Sequence, residues 1–234
     1  MISLHYYLWP VLWLLNFGSL NTLTEIPVKV PSPTHSTYDI LLNAGADVPS
    51  EDVFELAMQG WNKLQDTLSS NVLTIIDFTL PSTEKRLWIV DPVQGEILLH
   101  SVVAHGRNSG DLMADRFSNR PESYQSSLGF YRTAETYQGK HGYSLRLDGL
   151  EEGFNDQARN RAIVIHGADY ASEEFAKQVG RLGRSLGCPA LPTELTDRAI
   201  DLIKDGSLLF IYGRDPNYLK SSPLIHQHRL TASL

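Results

Sequence analysis

The chain holds one cysteine, Cys188, in the segment "RSLGCPALP" (184–192), directly after a glycine and directly before a proline. A thiol attacks as the thiolate, and a free cysteine is mostly protonated near neutrality, so catalysis requires a neighbouring base or electropositive surroundings. Histidine is the usual supplier. His166 closes the apolar run "AIVIHG", where a strand end would hold its ring in fixed geometry as a general base. Gly167 lets the chain turn sharply there, and Gly187 lets a substrate carbonyl approach the backbone, so that the N–H of residue 187 or 188 could receive an oxyanion. Pro189 fixes the chain beyond the sulfur. Twenty-two residues separate the histidine from the cysteine, enough for a helix that returns the chain to the strand end. Spacing alone leaves a second reading open, in which Cys188 is a small buried residue between Leu186 and Leu191 and His166 is structural.

The elements that must position these two groups are read from periodicity. Ser50 is a candidate N-cap, followed by Glu51 and Asp52, and Val53, Phe54, Ala57, Trp61, Leu64 and Leu68 recur at helical spacing. Short β-branched and aromatic runs then follow at 72–78, 86–91 and 96–104, separated by turn residues, and two more at 161–167 and 207–213 each end in glycine. The Gly- and Ser-rich stretch 106–153 reads as a long irregular segment, too polar for core, of the kind that carries function. Ser172 caps a helix beginning "EEFAKQV", and Thr193 caps one beginning "ELTDRAIDLIKDG", so Cys188 falls in the loop between two helices. The fold class is mainly β with flanking helices (α+β).

Composition bounds the partners. With 42% hydrophobic and 20% charged residues the chain is globular, and its length of 234 suits one domain with extensions. The formal net charge of −7 and the lack of a Lys/Arg cluster disfavour a nucleic-acid surface. Residues 1–24 resemble a secretory signal, with an apolar core from Tyr6 to Leu15 interrupted by Pro10 and Asn16, too short for a membrane span. No stable membrane span is expected after signal cleavage. Residues 25–49, rich in proline, read as a linker, 50–213 as the main folded domain with its N-terminal helix, and 214–234 as a C-terminal tail. Export makes an unpaired cysteine a candidate reactive thiol.

The dipeptide His-Gly occurs at His105, His141 and His166. Three histidines can serve a catalytic zinc, but none shows a local metal spacing, so no metal and no other cofactor is expected.

"IVIHGADY" followed by "RSLGCPALPTELTDRAIDLIKDGSLLFIYG" resembles the catalytic core of the L,D-transpeptidase (YkuD-like) family, with its strand-borne His-Gly, its [Ser/Thr]-His-Gly-Cys, a helix and a final strand. "LTIIDFTLPSTEKRLWIVD" is similar to the family's opening strands, and "SSLGFYRT" occupies the place of its Thr-Pro-x-Gly. Two motif positions differ: Leu186 stands where the family has His, and Ala190 where it has Arg or Asn. The Gly-Cys-Pro-Ala variant resembles a divergent branch described as murein L,D-transpeptidase catalytic-domain proteins. The resemblance implies a β-sandwich or barrel catalytic domain acting on peptidoglycan stem peptides, with Cys188 as nucleophile and His166 as general base. It further implies that the Gly167 carbonyl orients the imidazole, that Gly187 lies at the oxyanion position, and that Ser185, Ser127, His105 and His141 are candidate substrate contacts. Periplasmic or cell-wall localisation follows from the same resemblance. A hydrolase on the same substrate and a non-catalytic wall-binding module are its rivals.

Overall fold

The centre of the molecule is a strand buried along its whole length. Every residue of β1 (Leu73–Asp77, LTIID) is buried, Thr74 and Asp77 included, which is why its apolar residues do not alternate with exposed polar ones. In the computed structural model, which describes residues 33–45 and 47–225, β1 pairs antiparallel with β2 (Leu87–Asp91) and parallel with β8 (Leu208–Tyr212). The remaining strands are β3 (Glu96–Ser101), β4 (Gly129–Gly139), β5 (Gly142–Gly149), β6 (Val164–Gly167) and β7 (Ala190–Leu191). Together they make one mixed eight-stranded sheet in the order β3-β2-β1-β8-β4-β5-β6-β7. Its two edges approach each other: the chain leaving β3 bridges back to the far edge at Ala104–Ala190 and Gly106–Ser185. The sheet is therefore nearly closed into a barrel, with helices flanking it.

The amphipathic helix read from the sequence is α2 (Glu51–Leu64), followed by one 3-10 turn at Gln65–Thr67. Ser50 occupies its N-cap position without a side-chain capping bond. The packing of α2 on the sheet is close enough that a Cβ at Gly60 would lie 2.2 Å from the Phe130 ring, itself stacked on Phe210 at 4.3 Å between centroids. α3 (Glu173–Val179) is capped by Ser172, whose Oγ accepts from the Phe175 N–H, and it ends at Gly180 in the left-handed conformation. α4 (Thr193–Ile203) begins at Thr193 itself, with Pro192 in the cap position; the Thr193 hydroxyl donates to Asp169 at 3.0 Å instead of capping.

Three expectations are corrected. The stretch 106–153 is not one irregular segment: β4 and β5 form a hairpin inside it, with Phe130, Tyr131, Leu145 and Leu147 buried. Its outward-facing residues, Arg132, Glu135 and Arg146 among them, dilute the apolar signal although alternate positions reach the core. Residues 33–43, read as linker, form the helix α1 (Pro33–Asn43). Proline is tolerated at the first helical position, where its missing N–H would have no partner, and the helix packs on α2 through Leu41 and through Tyr38 against Phe54, 5.3 Å between centroids. Finally, part of the expected tail is built into the fold. α5 (Pro216–Ser221) is capped by Asp215 and sends Tyr218 onto the buried Glu151 carboxylate at 2.9 Å, where Ser222 and the Phe130 N–H also donate. The signal-like segment 1–24 lies outside the described residues.

Candidate active site

The parallel pairing of β6 with β7 matches His166 with Ala190, which brings Cys188, two residues earlier, against the backbone of β6. Cys188 Sγ lies 3.5 Å from the Val164 N and 3.7 Å from the Ala162 carbonyl oxygen. His166 and Cys188 line one cleft of about 420 Å³, with His141, Arg161, Tyr170 and Leu186 among its walls. A tertiary pairing thus joins what the chain separates by a helix.

The His166 side chain is nearly sealed at 3% exposure, and its Nδ1 lies 2.9 Å from the Gly167 carbonyl oxygen. A carbonyl only accepts, so this bond fixes the neutral tautomer with hydrogen on Nδ1 and leaves Nε2 with its lone pair. Burial lowers the His166 pKa, the neighbouring His141 and Lys140 push in the same direction, and the Gly167 bond opposes them. Burial likewise raises the Cys188 pKa, against the Val164 N–H, Arg161 and Lys140, which lower it. Both shifts favour an uncharged pair near neutrality, a protonated thiol and a neutral imidazole.

The loop that carries the sulfur is tied down by two serines. Ser185 Oγ donates to the Cys188 carbonyl at 2.6 Å and accepts from the Gly187 N–H at 3.0 Å. Ser126 Oγ donates to the Gly187 carbonyl at 3.3 Å and accepts from the Gly106 N–H at 3.0 Å. Gly187 adopts φ of 125°, and a Cβ there would lie 2.8 Å from the Gln125 carbonyl oxygen. Only glycine fits that position without strain.

Several candidate residues are relocated by this geometry. The Gly187 N–H is already engaged by Ser185 and is not available to an oxyanion; among the described residues the Cys188 N–H has no backbone partner. Ser185 borders the cleft but uses its hydroxyl to brace the loop. Ser127 does not line the cleft; it is buried and bonded to Tyr131 at 2.8 Å and to Arg161 at 3.2 Å. His105 does not line the cleft. It is fully buried, its Nδ1 receives a hydrogen bond from Arg86 at 2.8 Å, and burial followed by the Arg86 charge lowers its pKa to about 3. His141, at the exposed tip of the β4–β5 hairpin, does reach the site, stacking on His166 with centroids 4.4 Å apart. The three His-Gly histidines therefore do not converge, and among the described residues no group of three or more His, Cys, Asp or Glu could hold a metal ion.

Of the two departures from the family motif, Leu186 is 54% exposed at the cleft and Ala190 is fully buried in β7. Sequence reasoning missed Arg161, which opens the run "RAIVIHG" and reads there as the polar start of a strand; its place beside the sulfur depends on a turn that periodicity does not reveal.

No helix among the described residues is long and apolar enough to cross a membrane. No curated protein matches the chain. Among solved structures it is similar to an L,D-transpeptidase from Mycobacterium smegmatis, at 14% identity and a TM-score of 0.37, over 61% of this chain and 59% of that one. It is similar also to an L,D-transpeptidase from Stackebrandtia nassauensis, at 15% identity and a TM-score of 0.37, over 70% of this chain and 67% of that one. A third, from Mycobacterium tuberculosis H37Rv, shares 15% identity with a TM-score of 0.36, over 61% and 58%. The chain thus spans about three-fifths of the length of the first and third. Residues 46–212, most of the chain, match the family model described as the L,D-transpeptidase catalytic domain, and the chain belongs to that family.

Proposed function

We propose that the protein is a cysteine acyltransferase acting on peptidoglycan stem peptides through a thioester on Cys188. The observation that carries this reading is the shared cleft of Cys188 and His166, with the Gly167 carbonyl holding Nδ1 so that Nε2 is free to take a proton. In the first half-reaction the Sγ–H proton passes to Nε2 as sulfur bonds to the carbonyl carbon of the diaminoacyl residue preceding D-alanine. The carbonyl oxygen takes the negative charge, and the Cys188 N–H donates to it. Collapse of this intermediate breaks the bond to D-alanine, whose amine leaves with the proton carried by His166. An amine from a second stem then attacks the thioester, gives its proton to His166, and Cys188 leaves as a thiol.

Leu186 and Ala190, apolar where the family has polar side chains, favour a second reading in which the domain binds wall peptides without turning them over. Product analysis separates the two. Digestion of purified wall material should release D-alanine and form new cross-links, and Cys188→Ser should abolish both, because a serine hydroxyl is far less ionised than a thiol. Shortened stems without cross-links would make the enzyme an L,D-carboxypeptidase with water as acceptor. No release of D-alanine by the folded protein would leave the binding reading. Action on the wall requires export, and residues 1–24 serve as the export signal in this proposal.

A further inference from the structure

Arg161 is a half-buried cation whose charge no carboxylate among the described residues answers. Its Nη1 donates to the Ser118 carbonyl at 2.7 Å and Ser127 Oγ at 3.2 Å, and its Nη2 to the Gln125 carbonyl at 2.6 Å and Ser123 Oγ at 3.3 Å. All four acceptors are neutral. Among the described residues no acidic side chain forms an ion pair with it, whereas Arg184, the other arginine of the cleft, is paired with Asp111 at 3.0 Å. Burying a charge without a counter-charge is costly, and neutral acceptors repay only part of that cost.

The guanidinium is also held in one place relative to the sulfur. Its Nη2 would lie 3.2 Å from a Cβ on Gly187, the residue before Cys188. The next residue, Ala162, adopts φ of 53°, a left-handed conformation that costs a non-glycine residue and persists where the surroundings impose it. Arg161 and Ala162 line the same cleft as Cys188, and the Ala162 carbonyl oxygen lies 3.7 Å from Sγ.

We propose that Arg161 is a positioning residue for the thiolate, a clamped cation whose unanswered charge favours ionised Cys188 and takes over from the polar side chains absent at 186 and 190. The inference rests on Cys188 being the nucleophile. When the S–H bond breaks and the proton goes to His166 Nε2, the electron pair stays on sulfur, and the new negative charge faces a cation that need not reorganise. The charge of Arg161 lowers the Cys188 pKa against the burial that raises it.

The test is the pH dependence of Cys188 alkylation by iodoacetamide in the full chain. Arg161→Gln should raise the thiol midpoint by about one pH unit, a roughly tenfold slower reaction at pH 7. Arg161→Lys keeps the charge but not the four-bond clamp, and it should restore the rate to within about threefold of the parent. A purely structural arginine would leave both variants equally impaired, so a lysine variant as slow as the glutamine one overturns the proposal, as does an unshifted midpoint in folded Arg161→Gln. If Arg161→Gln fails to fold, the Lys140→Gln protein, which removes the other cation that lowers the Cys188 pKa and leaves Arg161 in place, supplies the reading. Its Cys188 should react with anionic iodoacetate, relative to neutral iodoacetamide, several-fold faster than a small free thiol does; a ratio at or below that of the free thiol overturns the assignment. Release of D-alanine is measured separately. A normal release with an unshifted midpoint rejects the role of Arg161 alone, and a shifted midpoint without release rejects the acyl-transfer reading alone.

Discussion

His166 shows how one backbone bond decides the chemistry open to a side chain. The Gly167 carbonyl at 2.9 Å fixes the proton on Nδ1, and burial keeps the ring neutral at lower pH than a solvated imidazole. In the proposed mechanism the neutral ring is the base, and its pKa lies below the ordinary 6.5, so activity should hold steady through neutrality and fall only as pH drops through that lowered value. A kcat/KM profile checks the sign; an acid limb centred above 6.5 would contradict it. His166→Ala should cost about a hundredfold or more in acylation and remove that limb. At this scale the sequence was most informative, because a lone cysteine and a strand-end histidine are recognisable by type. It could not separate His141 from His105. Both precede glycine, and only the fold lays His141 on His166 while His105 is buried and bonded to Arg86.

Among the elements, legibility follows burial. The strands at 73–77, 87–91 and 208–212 are covered on both faces along nearly their whole length and read as predominantly apolar runs. The β4–β5 hairpin, which brings His141 to the cleft, was hidden because it alternates: in β5, Leu145 and Leu147 are buried while Arg146 faces outward. β7 has two residues, too few for any periodicity, and yet its pairing with β6 is what brings the cysteine loop to the histidine strand. The helix that backs the sheet makes a quantitative test. Alanine at Gly60 favours the helix by up to about 1 kcal/mol, but its Cβ would overlap a Phe130 ring held in a stack with Phe210. Overpacking of this kind costs about 1–3 kcal/mol and should prevail. Gly60→Ala is therefore expected to lower the urea midpoint at unchanged m-value; an increase would mean that the helix and sheet are less tightly apposed than the structure has them.

For the molecule as a whole, the buried Arg86–His105 pair couples stability to pH. His105 has a native pKa of about 3, whereas in the unfolded chain it takes up a proton near 6.5. The native value is the lower one, so the stabilisation is complete above 6.5 and is lost as pH falls towards 3, at about 1.4 kcal/mol per pH unit from this group. His105→Asn, whose side-chain oxygen can still accept from Arg86, should flatten the decline in unfolding free energy between pH 7 and pH 5. Equal slopes in the two proteins would show that His105 is not held neutral. The near-closure of the sheet through Ala104–Ala190 and Gly106–Ser185 gives this region its wider weight, since the His105 neighbourhood is tied to the loop bearing Cys188 by the bond from the Ser185 N–H to the His105 carbonyl at 2.9 Å.

The central claim is that the sulfur of Cys188 becomes acylated with His166 as its base, and intact-mass spectrometry after incubation with a carbapenem measures this most directly. The folded protein should gain one carbapenem mass, mapped by peptide digestion to 184–192, with no adduct on Cys188→Ser and a much slower one on His166→Ala. A folded protein that stays at its original mass, or an adduct that persists on Cys188→Ser, would contradict the account.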